Sequence, residues 1–226
     1  MNTKTFILTT AVVATLGFSA HATTYLDTTG DTFTGAGGGI LDITSVEVNN
    51  NATDLIFKIN VVGDPVATDW GKYMIGIDSV AGGDTAGDGW ARPISMPSGM
   101  DYWVGSWVDS GNGAQLWQYT GAWANIGTPS VTKNTSSVTL QFAYAGLGLA
   151  PGSTFRFDVY TSGGGGGDSA VDALANPAQS IANWGDPYST QSPVSYTIPT
   201  VPEPGTLAML GLGGLLMVQR AFRRRA

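Results

Sequence analysis

Short stretches between residues 40 and 199 alternate apolar with polar side chains, and this period of two is what most limits the fold. In residues 54–62 (DLIFKINVV), Leu55, Phe57, Ile59 and Val61 fall on one side, with Lys58 and Asn60 on the other. Residues 137–144 align Val138, Leu140, Phe142 and Tyr144, and residues 154–161 set Phe155, Phe157 and Val159 against Arg156 and Asp158. In residues 71–79, Tyr73, Ile75 and Ile77 share a face. Segments 40–49, 101–109, 114–120 and 193–199 are further strand candidates. Successive side chains of a strand point to opposite faces of its sheet, so each run can bury one face. Ser110-Gly111-Asn112-Gly113 is a hairpin signal between two of the runs. Asn50, Gly82-Gly83, Gly146-Leu147-Gly148 and the run Gly163 to Gly167 mark loops, and Ser169 to Ala175 is the one helical hint. Short strands with regular turns predict an all-β fold, an antiparallel β-sandwich.

Composition narrows the chemistry. Cys 0 excludes disulfides, cysteine-held metal and a thiol nucleophile. The lone histidine, His21, lies in a segment expected to be removed, which excludes a Ser-His-Asp triad, histidine-bound zinc and a histidine general base from the mature chain. Residues 23–200 hold five basic residues (Lys58, Lys72, Arg92, Lys133, Arg156) against sixteen acidic ones, a net charge of −11. Binding to phosphate backbones needs lysine and arginine, so nucleic acid is not an expected partner. Seven tryptophans argue for a packed core.

Both ends read as addresses. Residues 1–22 form a secretory signal peptide: Lys4 is its positive start, Phe6 to Phe18 its apolar region, and Ala20-His21-Ala22 its small-residue cleavage site. Residues 23–197 are the β-sandwich domain, and 198–226 are a linker and a tail in three parts. Val201-Pro202-Glu203-Pro204 is proline-locked and extended. Residues 206–219 form a short hydrophobic helix, and 220–226 a basic end with Arg220, Arg223, Arg224 and Arg225. The glycine-punctuated apolar run from Thr206 to Val218, thirteen residues long, covers about 20 Å of a ~30 Å hydrocarbon core, so the helix anchors transiently in the inner membrane. The arginines hold its end on the cytoplasmic side.

This tail resembles the PEP-CTERM sorting signal of Gram-negative bacteria. The resemblance implies export by the secretion machinery, then recognition of Pro202-Glu203-Pro204 and removal of the tail by an exosortase, a membrane-embedded cysteine protease. It also implies residence at the cell surface or in an exopolysaccharide biofilm matrix.

The body has a resemblance of its own. Asp42-Ile43-Thr44-Ser45-Val46-Glu47-Val48, Asp54-Leu55-Ile56-Phe57, Met100-Asp101-Tyr102-Trp103-Val104, Leu116-Trp117-Gln118-Tyr119 and Phe155-Arg156-Phe157-Asp158-Val159 stand in order. Over residues 27–172 this is similar to DOMON-like domains, a pattern shared with family 9 carbohydrate-binding modules. The resemblance implies an immunoglobulin-like sandwich that binds sugar non-catalytically and in some members calcium. Heme-carrying relatives use Met and His, and that role is not transferred to a mature chain without histidine.

Two constellations are candidates for binding. Trp90, Trp103, Trp107, Trp123 and Trp184 can stack on the apolar faces of sugars. Trp103, Gly105 and Trp107 point the same way, opposite Tyr102 and Val104, and Gly105 leaves a slot between two indoles. That pair could equally fill the core, with Tyr102, Val104 and Val108 outside. Trp90, Trp123 and Trp184 sit near predicted loops. Asp78, Asp84 and Asp88, in a glycine-rich loop, are candidate calcium ligands, although their spacing is not that of an EF-hand. Asp168 and Asp172, after the five-glycine run, are a similar candidate. No pair of carboxylates is singled out for hydrolysis, and no enzyme is expected. The alternative to a carbohydrate-binding module is a structural matrix or envelope protein without a small ligand; an auxiliary glycan-active enzyme is third.

Overall fold

The computed structural model describes residues 22–33 and 37–200. The expected signal peptide up to His21, the Val201–Pro204 motif, the hydrophobic helix and the arginine tail all lie outside the described residues. Among those described, no helix is long and apolar enough to cross a membrane.

In chain order the strands are β1 (Thr23–Leu26), β2 (Ile43–Asn50), β3 (Asp54–Val61), β4 (Lys72–Asp78), β5 (Ile94–Ser95), β6 (Tyr102–Trp107) and β7 (Gly113–Tyr119). They continue with β8 (Trp123–Gly127), β9 (Ser130–Lys133), β10 (Ser137–Ala143), β11 (Thr154–Ser162), β12 (Asp172–Ala173), β13 (Tyr188–Ser189) and β14 (Val194–Thr197). One sheet has the order β1-β2-β3-β10-β9. The other runs β12-β11-β4-β6-β7-β8, with β14 also paired to β11. All pairings within both sheets are antiparallel. The molecule is thus all-β, a sandwich of two antiparallel sheets.

The alternation read from the sequence is the reason. On β3, Leu55, Phe57, Ile59 and Val61 are buried while their neighbours are half-exposed. Val138, Leu140 and Phe142 of β10 extend that face, and Tyr73, Ile75, Ile77, Phe155, Phe157 and Val159 meet it from the other sheet. Phe57 meets Phe157 edge-on at 5.2 Å between ring centroids, which joins the two sheets. Burying each such side chain contributes about 1.5–3 kcal/mol. Packing continues to Ile198, fully buried, whose N–H donates to the Ser153 carbonyl at 2.9 Å.

The hairpin signal also holds. Ser110, Gly111 and Asn112 adopt φ of 48°, 97° and 57°, the left-handed region a tight turn requires. The helical hint at Ser169 to Ala175 does not. There the Val171 N–H donates to the Thr161 carbonyl and the Leu174 N–H to that of Val159. The free edge of β11 thus offers this backbone partners in the sheet, and β12 forms.

The middle strands of the second sheet, β4 and β6, are buried on both faces. The outer face of this sheet carries another apolar cluster, including Met74, Trp103 and Tyr160, roofed by Ile94, Met100 and Val171 from the long connections after β4 and β11. β5 and β13, paired in parallel, tie the two connections together. This explains why β4 is buried continuously from Tyr73 to Asp78 instead of alternating.

Candidate functional site

The outer layer is where the tryptophans gather. Trp103 and Trp107 do point the same way, but into this layer; Tyr102, Val104 and Val108 face the core between the sheets and are not outside. Trp103 is fully buried and stacks on Tyr160 at 5.6 Å. As packed, it reaches no solvent and offers no shelf.

The slot expected at Gly105 is filled by the chain itself. Trp90 lies on it so closely that a Cβ at position 105 would stand 2.3 Å from the indole Cε2. The Trp90 Nε1–H donates to Gln115 Oε1 at 2.8 Å, and the Trp117 Nε1–H donates to the same oxygen at 3.2 Å. The Arg92 guanidinium carbon stands 5.4 Å from the Trp90 ring centroid. Trp107 is seated on Gly113, where a Cβ would come within 2.2 Å of its Cζ2.

Trp123 lies on β8 rather than in a loop. Its Nε1–H donates to Asp84 Oδ2 at 2.8 Å, and its ring stands 5.4 Å from Tyr119 across the β7–β8 turn. Trp107, Trp117, Trp123 and Tyr119 are only partly buried and remain open on the solvent side of the layer. Trp184 packs against the same outer cluster, edge-on to Phe33 at 5.0 Å and to Trp70 at 6.1 Å.

The three aspartates expected to bind calcium each have hydrogen-bond partners within the protein. Asp78 Oδ2 accepts from Arg156 Nη2 at 2.5 Å. Asp84 Oδ1 accepts from the N–H groups of Ala86 and Gly87 and so closes its own loop. Asp88 is buried and caps the next turn through the Trp90 N–H at 2.7 Å; burial pushes its carboxyl up to about 7. Asp168 likewise folds back, with Oδ2 accepting from the Gly165 N–H at 2.8 Å.

A different acidic group forms in three dimensions. Carboxylate atoms of Asp27, Asp31 and Asp172 lie within 4.8 Å of one another. Asp172 is fully buried on β12, and its Oδ2 accepts from the Ile43 N–H at 2.6 Å, tying the second sheet to the start of β2. Burial first, then the charges of Asp27 and Asp31, push its carboxyl up to about 9. Asp27 is pushed up to about 7, again mainly by burial. Asp172 is a candidate from the sequence, but its partners are not; the local signal for them is Asp27-Thr28-Thr29-Gly30-Asp31, two carboxylates in a short glycine-containing turn.

Beyond this sandwich, residues 200–225 match the PEP-CTERM protein-sorting motif, the mark of an exosortase-sorted surface protein. The motif implies export, an exosortase as processing partner and sorting to the cell surface. No curated protein matches the chain.

Proposed function

We propose that this chain, once exported and cut at both ends, serves in the surface or exopolysaccharide matrix as a non-catalytic carbohydrate-binding sandwich. The observation that supports this is the partly buried set Trp117, Tyr119 and Trp123 on β7 and β8, with Trp107 on β6 at the other end of β7. Flat apolar rings left open to solvent suit the apolar faces of sugars, and the net charge of −11 over residues 23–200 keeps the body soluble outside the cell. Gln115 and Asp84, which hold the indole N–H groups, fix the ring orientations in advance and so reduce the ordering cost of binding.

The test is calorimetry and tryptophan fluorescence with fragments of the producing cell's exopolysaccharide. Binding that is lost in Trp123→Ala supports the reading. Silence across the whole panel favours the second one, a structural matrix protein without a small ligand, for which the packing of Trp90 and Trp103 into the layer speaks. The sorting step has its own check. Mass spectrometry of the surface form is expected to show a chain without Arg223-Arg224-Arg225, and Glu203→Ala is expected to retain the tail and leave the protein in the inner membrane.

A further inference from the structure

We propose that Asp27, Asp31, Asp42 and Asp172 form a calcium site where the segment leading into β2 meets β12. The first three bring carboxylate oxygens within 4.8 Å of one another. Asp42 supplies the independent observation. It is only 7% exposed, and its Oδ2 accepts from the Gly30 N–H at 2.9 Å, which carries the carboxylate into the turn between Asp27 and Asp31. Its Oδ1 is buried with no hydrogen-bond partner among the described residues. Asp27 Oδ2 and both oxygens of Asp31 are shut from solvent in the same way.

Four buried acceptors without donors, on three aspartates, are among the most costly arrangements a fold can keep. Among the described residues, nothing basic offsets them. The ion pairs of the described residues use Glu47, Asp109, Asp69 and Asp78 instead, and the charges that shift Asp27, Asp31 and Asp172 are other aspartates. One divalent cation held between Asp27, Asp31 and Asp172 would give the orphaned oxygens of Asp27 and Asp31 a partner, with the Asp42 carboxylate beside them at the Gly30 turn. A set made only of carboxylates selects a hard cation over zinc or copper. Oxygens already withdrawn from water suit calcium, which takes six to eight oxygen ligands, better than magnesium, which keeps part of its hydration shell. The ion would staple the first strand and its following turn to the edge of the second sheet. This inference does not depend on the carbohydrate reading.

The experiment is calorimetric titration of the chelator-treated chain with calcium chloride, alongside thermal melts in chelator and in calcium. One ion per chain is expected, with Kd on the order of 0.1–1 mM, as in extracellular calcium modules. At calcium about a hundredfold above Kd, the melting temperature should rise by roughly 5–10 °C. Asp31→Asn is the discriminating variant. Both its oxygens lack partners, so the melt in chelator should hold or rise while the calcium response is lost. No heat and no melting shift at about 10 mM calcium would overturn the site. So would an undiminished response in Asp31→Asn, and an equal shift with magnesium would overturn the choice of ion.

Discussion

The Trp90 indole rests on Gly105, and the contact leaves no room for even one carbon between ring and strand. Gly105→Ala therefore has two ways to respond: bend β6, or push Trp90 off its seat and break its hydrogen bond to Gln115. Overpacking of this kind costs about 1–3 kcal/mol. The expected outcome is a lower urea midpoint and red-shifted tryptophan emission. In Trp90→Ala the same glycine substitution should cost much less, because the atoms it meets are gone. An unchanged midpoint in Gly105→Ala alone would show that the ring is not seated there.

Asp158 sets a pH dependence. It is fully buried, and desolvation pushes its carboxyl up to about 7 despite hydrogen bonds from Thr190, Ala175, Val159 and Tyr188. The folded state therefore holds this proton more tightly than the unfolded chain, where the group titrates near 3.8. Its contribution is fully present below the unfolded value and is lost as pH rises from about 4 through about 7. Asp88, also pushed up to about 7, acts in the same direction. Denaturation midpoints measured in chelator across this range should fall with rising pH. Asp158→Asn should flatten part of the slope, since the amide keeps an acceptor for the Val159 and Ala175 N–H groups and the Thr190 hydroxyl can rotate. A slope identical to that of the parent would remove Asp158 from this account.

Arg92 holds the glycine run in place from inside. Its guanidinium donates to Ser162 Oγ at 2.7 Å, to the Asp168 carbonyl at 2.8 Å and to the Gly163 carbonyl at 3.3 Å, on a side chain that is buried. Arg92→Met keeps the apolar stem but strands these acceptors, at a cost of about 2–4 kcal/mol. Limited proteolysis should then cut within Gly163–Gly167 before the rest of the domain. Protection equal to that of the parent would mean that the loop is held by other contacts.

How far each of these features could be read from the chain differs by residue. Leu55, Phe57, Ile59 and Val61 announced their face because a strand's alternation is local and one buried side is enough to produce it. Trp103 and Trp107 showed that they share a face, but not what covers it. The covering residues, Trp90 among them, arrive from a connection without periodicity. Trp123 reads only as lying near a loop, because the strand that follows the turn at Gly121 has five residues, too few for a pattern to show.

The sequence by itself determined the period-two strands, the hairpin at Ser110 to Asn112, the absence of cysteine chemistry, and the sorting tail. Each of these is carried by neighbouring residues or by composition alone. Tertiary structure decided that the second sheet is roofed, that Gly105 is a seat for Trp90, and that Asp172 lies beside Asp27 and Asp31 rather than serving with Asp168. Such choices depend on which distant segments share a surface. Asp172 and Ile43, 129 residues apart, become hydrogen-bond partners only when β12 takes the edge of β11.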